Sequence, residues 1–460
     1  MNHFSPSSMS RRRLLLAAAA SGAAPLVACA TAPSLDATPP IVFVHGNGDT
    51  ASIWMTTIWR FESNGWPRER LHAIDMPYPN ARADDAKTQP GSSSTAEQMA
   101  YLAAEVKKVL AATGASKVDL VGISRGGYPI RNFVANGGGA GLVSSIVLCG
   151  VPNHGVWAHN NFLPGSEFNG VGPFLSGLNA PRGPDGNEVV PRIRWMTIRS
   201  DNFDRYAQPS QGGAATHVGF DGPALKGAEN VVIAGLDHRE TAFSPKAFAE
   251  MYRFLAGKPA ATTGVVAEST VVLDGIVSGL GLGNAQGTYV TNLPLVGATL
   301  GVFTTNPDTG ERMGNAKYQK TIAGDGHWGP FRADGTADYE FVVAANGYAV
   351  THIYRSPFLR SSDIVNMHPE RLADADRDAT SLVLFNRMRG YFAPARDHIV
   401  LDGVSPPAGI PGGPPTVSLT RLKVAGGGSR PIVGEFNGER IVGRTWPAAD
   451  NQVVVLDLTS

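Results

Sequence analysis

Between residues 38 and 258, short apolar runs alternate with stretches of helical periodicity, and few folds accept that alternation. Ile41-Val42-Phe43-Val44, Leu71-His72-Ala73-Ile74, Lys117-Val118-Asp119-Leu120-Val121, Ser145 to Leu148, Ile193 to Ile198 and Asn230 to Ala234 read as strands. Between the second and third of these, Ala96 to Ala112 places Met99, Leu102, Val106 and Leu110 on one helical face. Phe243 to Leu255 closes the region as an amphipathic helix. Strands this apolar are buried on both faces. Separated by helices, they predict an α/β architecture: a mostly parallel sheet with helices on both faces and right-handed crossovers.

After Lys258 the texture changes. Residues 263–460 are rich in Val, Thr and Gly, and few stretches are long enough for a helix. Val271-Val272-Leu273, Tyr339-Glu340-Phe341-Val342-Val343 and Val453-Val454-Val455-Leu456 read as strands between glycine turns, so this region is expected to be β-rich. Pro259 to Thr263 reads as a linker, and the cluster Pro406 to Pro415 either separates two β units or forms one long loop. A length of 460 residues fits more than one domain. Lys plus Arg equal Asp plus Glu at 39 each, which leaves no positive field to collect polyanions and argues against nucleic acid as a partner.

The first 29 residues read as an export signal, not as fold. Ser10-Arg11-Arg12-Arg13-Leu14-Leu15 resembles a twin-arginine signal, followed by an apolar run from Leu14 to Val27 that is too short for a membrane span. Leu26-Val27-Ala28-Cys29 resembles a lipobox, with Cys29 as the acylated residue. The alternative is ordinary cleavage near Ala28 or Ala30. Either way the expected destination is the periplasm, the cell envelope or the exterior, with membrane attachment through lipid in the first case. The second cysteine of the chain, Cys149, lies in an apolar stretch and is expected to be a buried structural thiol without a disulfide partner. No Cys or His spacing suggests a metal, and no cofactor is expected.

Chemistry concentrates at Gly122-Ile123-Ser124-Arg125-Gly126. This G-x-S-x-G run lies between a strand and a helical stretch, where small residues permit a tight turn that lifts a serine hydroxyl to the sheet edge. Ser124 is therefore the candidate nucleophile. It needs a base, and among 11 histidines His238 is best placed, on the loop between the last strand and the closing helix. His45 and His154 are the rivals, and His45 is expected to be structural. The base needs a carboxylate to hold its tautomer. Asp204 is favoured, with Asp201 as the alternative acid, since both follow the strand ending at Ile198. Backbone N–H groups of Asn47 and Arg125 are the expected oxyanion donors.

These residues together resemble the α/β-hydrolase fold of secreted lipases. Val44-His45-Gly46-Asn47-Gly48-Asp49 is similar to the first oxyanion loop of class 2 lipases and, in its Asn-Gly-Asp form, to that of some extracellular polyhydroxyalkanoate depolymerases. Asp204 to Pro209 resembles the acid-bearing D-x-[IV]-V-x-P pattern of small lipases, with Tyr206 and Ala207 in place of its β-branched pair. Ser244-Pro245-Lys246-Ala247-Phe248, Lys258 to Thr263 and Tyr354 to Arg360 resemble archaeal long-chain lipases with a β-rich C-terminal lipid-binding domain. The resemblance covers most of residues 40–365 and implies hydrolysis of lipid esters at an interface through an acyl-enzyme. A polyester depolymerase with the same triad is the second expectation, and a surface lipid-binding protein with a vestigial hydrolase core is the third. Two departures stand out. Those lipases carry their acid where Cys149 stands here, and their helical lid is largely missing, since Met76 to Thr95 is short and polar. A cover could instead come from Asn160 to Val190, with Phe162, Leu163, Phe168, Phe174 and Leu175.

Overall fold

A computed structural model describes residues 38–209, 218–282, 288–426 and 428–460. The signal-like segment and Cys29 lie outside these residues. The described residues fall in one compact unit.

The apolar runs form a six-stranded parallel sheet. Its strands are β1 (Ile41–Val44), β2 (Leu71–Ile74), β3 (Val118–Ile123), β4 (Val143–Cys149), β5 (Arg194–Arg199) and β6 (Glu229–Val232). They lie in the order β2-β1-β3-β4-β5-β6. Since β2 follows β1 on one side and β3 returns to its other side, the crossover direction reverses at β1 and β3. A crevice opens beyond the carboxyl ends of strands at such a reversal. Both candidate loops, Asn47 after β1 and Ser124 after β3, emerge there.

The helices are α1 (Met55–Ser63), α2 (Thr95–Thr113), α3 (Gly127–Asn136), α4 (Pro173–Leu178), α5 (Glu240–Phe243) and α6 (Pro245–Ala256). Helix α2 begins where its sequence says it should: the Ser94 hydroxyl accepts from the Glu97 N–H while the Glu97 carboxylate accepts from the Ser94 N–H. It ends at Gly114 in the left-handed conformation. One face of the sheet packs on α2 and α3 through Leu102, Val106, Ile130 and Phe133, and the other on α1 and α6 through Ile58, Phe61, Phe248 and Met251.

Among the described residues, the regular elements of the C-terminal region are β-strands and two short 3-10 turns. Seven strands form one sheet in the order Tyr318–Thr321, Thr299–Thr305, Asp338–Ala344, Val350–Arg355, Gln452–Asp457, Ser381–Asn386, Leu419–Val424. The last strand of the chain thus runs between two earlier ones and parallel to both. The Pro406 to Pro415 cluster is loop, and strands before and after it share this sheet. A three-stranded sheet, Ile399–Leu401, Pro431–Phe436 and Glu439–Arg444, covers part of it.

The two regions share a core. The same buried cluster contains Trp59 and Phe248 from the first and Phe341, Phe358 and Val455 from the second. Trp59 meets Phe358 edge-on, with centroids 6.5 Å apart, and donates its indole N–H to the Ser361 carbonyl at 2.9 Å. Arg360 pairs with Glu62 at 2.8 Å. Among the described residues no helix is long and apolar enough to cross a membrane.

Candidate active site

Ser124 sits at the carboxyl end of β3 with φ 51, in the left-handed region that a residue with a Cβ enters only under constraint. Two glycines supply that constraint. A Cβ on Gly126 would collide with the carbonyl oxygens of Val44 and His45, and one on Gly122 would lie 2.7 Å from Cδ1 of Ile130. The chain therefore passes from strand to helix in one cramped turn, and the serine is the part left facing outward. It is half-buried, while Arg125, Gly126 and Gly127 are buried.

His238 follows β6 on the loop that enters α5 and is buried together with Asp204. Its Nδ1 donates to both carboxylate oxygens of Asp204, at 3.0 and 2.9 Å. Since the carboxylate accepts there, Nε2 is left as the free basic nitrogen. Asp204 is fixed in turn by the N–H of Tyr206, which donates to Oδ1 at 2.8 Å. The Tyr206 ring then packs edge-on against the imidazole with centroids 4.6 Å apart. Asp201 is directed elsewhere: its Oδ1 accepts from Ser200, Phe203 N–H and Gly235 N–H, so it braces the loop and does not meet His238.

Ser124 and His238 face one cavity of about 250 Å³. Ile123, Pro152, Val156, Trp157 and Phe168 give it an apolar wall, and Asn47, Asp49, Arg239, Tyr206 and Tyr391 a polar one. Asn47 is held at the rim by its own side chain, whose Oδ1 accepts from Ala81 N–H at 2.8 Å. The N–H of Arg125 belongs to the first turn after the nucleophile, where a helix start leaves its donors without intrahelical acceptors. Asn47 thus lines the cavity together with Ser124, and Arg125 directly follows Ser124.

The rival histidines have structural partners. His45 donates from Nδ1 to the Gly46 carbonyl and accepts at Nε2 from Met76 N–H, which shapes the loop after β1. His154 bridges the Gly222 carbonyl and Glu188. Cys149 ends β4 wholly buried, and burial pushes its thiol far above the ordinary range, which leaves it inert.

Sequence reasoning missed what Arg125 does beyond its N–H. The guanidinium is buried and forms a two-pronged pair with Glu167 at 2.6 and 2.7 Å. It also donates to the carbonyls of Pro79 and Ser93. Glu167 belongs to the Asn160 to Val190 segment, so this segment is tied near its start to the residue after Ser124. Of its apolar residues, Phe168 reaches the cavity and Leu175 is buried, whereas Phe162 and Leu163 are exposed. Tyr391 and Arg239 were also missed. No local pattern marks a tyrosine from the far β region as a wall of this cavity.

Residues 39–172 match the family model of the alpha/beta hydrolase fold, and residues 269–372 match that of the lipase C-terminal domain. Among solved structures, the chain is similar to Aspergillus fumigatus lipase B, at 17% identity and TM-score 0.35 over 49% of this chain and 54% of that one. The match thus spans just over half of that lipase. The mature lipase BlEst2 of Bacillus licheniformis gives 18% identity and TM-score 0.34 over 49% and 93%. Carboxylesterase CesB of Bacillus subtilis gives 14% and 0.27 over 48% and 85%.

Proposed function

We propose that this chain, an α/β-hydrolase with a lipase C-terminal domain, is an ester hydrolase that works through an acyl-enzyme on Ser124. One observation carries the reading: a serine in the left-handed conformation at the end of β3 shares a cavity with an imidazole whose far nitrogen is already bound by a buried carboxylate.

The steps follow from those positions. His238 Nε2 takes the proton as the Ser124 oxygen attacks the ester carbonyl. Asp204 stabilises the resulting imidazolium without taking its proton. The carbonyl oxygen becomes an anion facing the N–H groups of Arg125 and Asn47, each donor of this kind contributing roughly 2–4 kcal/mol to the transition state. The imidazolium then protonates the departing alkoxide, and the alcohol leaves. Water enters, gives its proton to the same nitrogen and attacks the acyl carbon, which frees the acid and restores the hydroxyl.

The substrate class we propose is a lipid ester, on the strength of the C-terminal domain match and the apolar wall of the cavity. Ser124→Ala should lower hydrolysis of p-nitrophenyl butyrate to background while the far-UV circular dichroism stays unchanged. Turnover retained by the folded variant would refute the assignment. We also propose twin-arginine export with acylation at Cys29. Radiolabelled palmitate should enter the wild type and not Cys29→Ser, and equal labelling would remove the anchor from the account.

A further inference from the structure

His238 is carried on a turn, and the turn is held from outside the hydrolase sheet. Asp237, the residue before it, is wholly buried. Its Oδ1 accepts from the N–H groups of Arg239 and Glu240, which closes the turn into α5. Its Oδ2 accepts from the N–H of Tyr391 at 2.7 Å and from Arg387 at 3.3 Å. Arg387 reaches Glu240 at 2.8 Å with its other nitrogen, so one guanidinium spans both sides of the histidine. Met388 receives Arg239 through its carbonyl, and Arg396 donates to the Gly235 carbonyl and to both oxygens of Glu240.

We infer that the segment Arg387 to Arg396 is a clamp on the turn bearing His238, with Arg387 as its positioning residue. The segment follows the strand Ser381–Asn386 and lies beyond the residues matched by the lipase C-terminal model. It is built for close contact. Arg387 is buried, packs over the Phe436 ring at 4.3 Å and returns a bond to the Tyr391 carbonyl at 2.6 Å. A Cβ on Gly390 would run into that guanidinium, so any larger residue there would have to displace it. The clamp also delivers Tyr391 to the cavity wall, so the same segment sets both the base and part of the pocket.

Charge gives the clamp a pH signature. Burial holds the Asp237 carboxyl up at about 6, Glu240 pushes it the same way, and Arg387 opposes both. Arg396 at 3.9 Å is the other cation facing it, and Tyr391 the other titratable group. Without the Arg387 charge, Asp237 takes a proton nearer neutrality and no longer serves as an acceptor on both of its oxygens. The imidazole then loses its fixed bearing at a pH where the wild type keeps it.

This inference rests on Ser124 and His238 acting as proposed, and the experiment separates the two. The rate at which a fluorophosphonate labels Ser124 is followed against pH in the full chain, in Arg387→Gln, Arg387→Lys, Asp237→Asn and the Asp237→Asn/Arg387→Gln double variant. Arg387→Gln should slow labelling about 10- to 100-fold, the scale of a small misplacement of a reacting group, and move the acid limb to higher pH. Arg387→Lys should return the limb toward its wild-type position. The double variant should be no slower than the worse single, because the two changes remove one shared contact. Should Arg387→Gln fail to fold, Arg387→Lys and Asp237→Asn carry the comparison, and wild-type rates and profiles in both would overturn the clamp. Multiplying losses in the double variant would overturn it as well. An unlabelled wild type would overturn the nucleophile assignment and the clamp together.

Discussion

Asp201 and Asp204 stand three residues apart on one loop, and each carboxylate has a different set of donors around it. Asp204 faces the imidazole with both oxygens, and Asp201 accepts from its own loop and from Gly235 N–H. Changing each to Asn should therefore separate them. Asp204→Asn replaces an anion that fixes the imidazole tautomer with an amide that cannot, and kcat should fall by about 10⁴. Asp201→Asn keeps the oxygen that its loop donors use, and kcat should stay within about threefold of wild type, the effect of a substitution that leaves catalytic geometry alone. Steady-state kinetics on p-nitrophenyl butyrate would check both, and equal losses would mean that the loop, not the carboxylate, matters. Much of this residue-level picture was legible. Ser124, His238 and Asp204 could be placed because strand ends put them on one edge of the sheet. The side chain of Arg125 could not, because its partner Glu167 lies 42 residues away on a loop without periodicity. Tyr206 lies two residues beyond the acid, and nothing local shows that its ring rests on the imidazole.

Strand β3 feeds the turn that carries Ser124, and it holds one acid among apolar residues. Asp119 pairs in register with Ser145 of β4 and is buried, and its Oδ1 has no hydrogen-bond partner among the described residues. Burial pushes its carboxyl up to about 7, with Ser145 opposing. The sign of the stability effect follows. A folded-state value above the unfolded one means that the folded chain keeps a proton the unfolded chain releases between about pH 4 and 7. The stabilisation is complete below that window and lost as pH rises through 7. Asp119→Asn cannot ionise, so at about pH 8 it should be more stable than wild type by roughly 1–3 kcal/mol, a typical cost of burying a poorly bonded polar group. At about pH 4 the two should match. Urea midpoints at both pH values would test this, and a wild type that is the more stable at pH 8 would show that the ionised carboxylate has found a partner in the fold. At this scale, sequence found all six strands of the parallel sheet because apolar runs mark them. The pairing of the C-terminal strands stayed hidden, since Gln452–Asp457 inserts between strands about 70 and 100 residues earlier.

The described residues from 38 onward belong to one compact unit, in which the β region supports the parallel sheet. The loop after β1 already depends on it, because the Asn292 side chain donates to the carbonyls of Asp49 and Met76. So does the half-buried Asp75, which accepts from Asn366 at 2.8 Å and from Ala51 N–H. Arg389 reaches the Ser52 carbonyl, and Trp59 loses both Phe358 and its indole acceptor if the β region is removed. The sequence reading placed a linker at Pro259 to Thr263, and that segment is itself pinned, with the Asn64 side chain bonded to Ala261 N–H and to the Thr262 carbonyl. Truncation after Lys258 should accordingly expose the apolar faces of α1 and α6 and abolish activity on soluble p-nitrophenyl butyrate as well as on emulsified triglyceride. Circular dichroism and size exclusion should report an aggregated or partly unfolded product, since an exposed face of that size has no other partner. A region that only holds substrate would give a different result: the truncated chain would stay folded, keep its soluble-ester rate and lose only the emulsion. That result would mean the shared core contributes little to stability, and the base would then have to be held by the hydrolase sheet without help from Arg387.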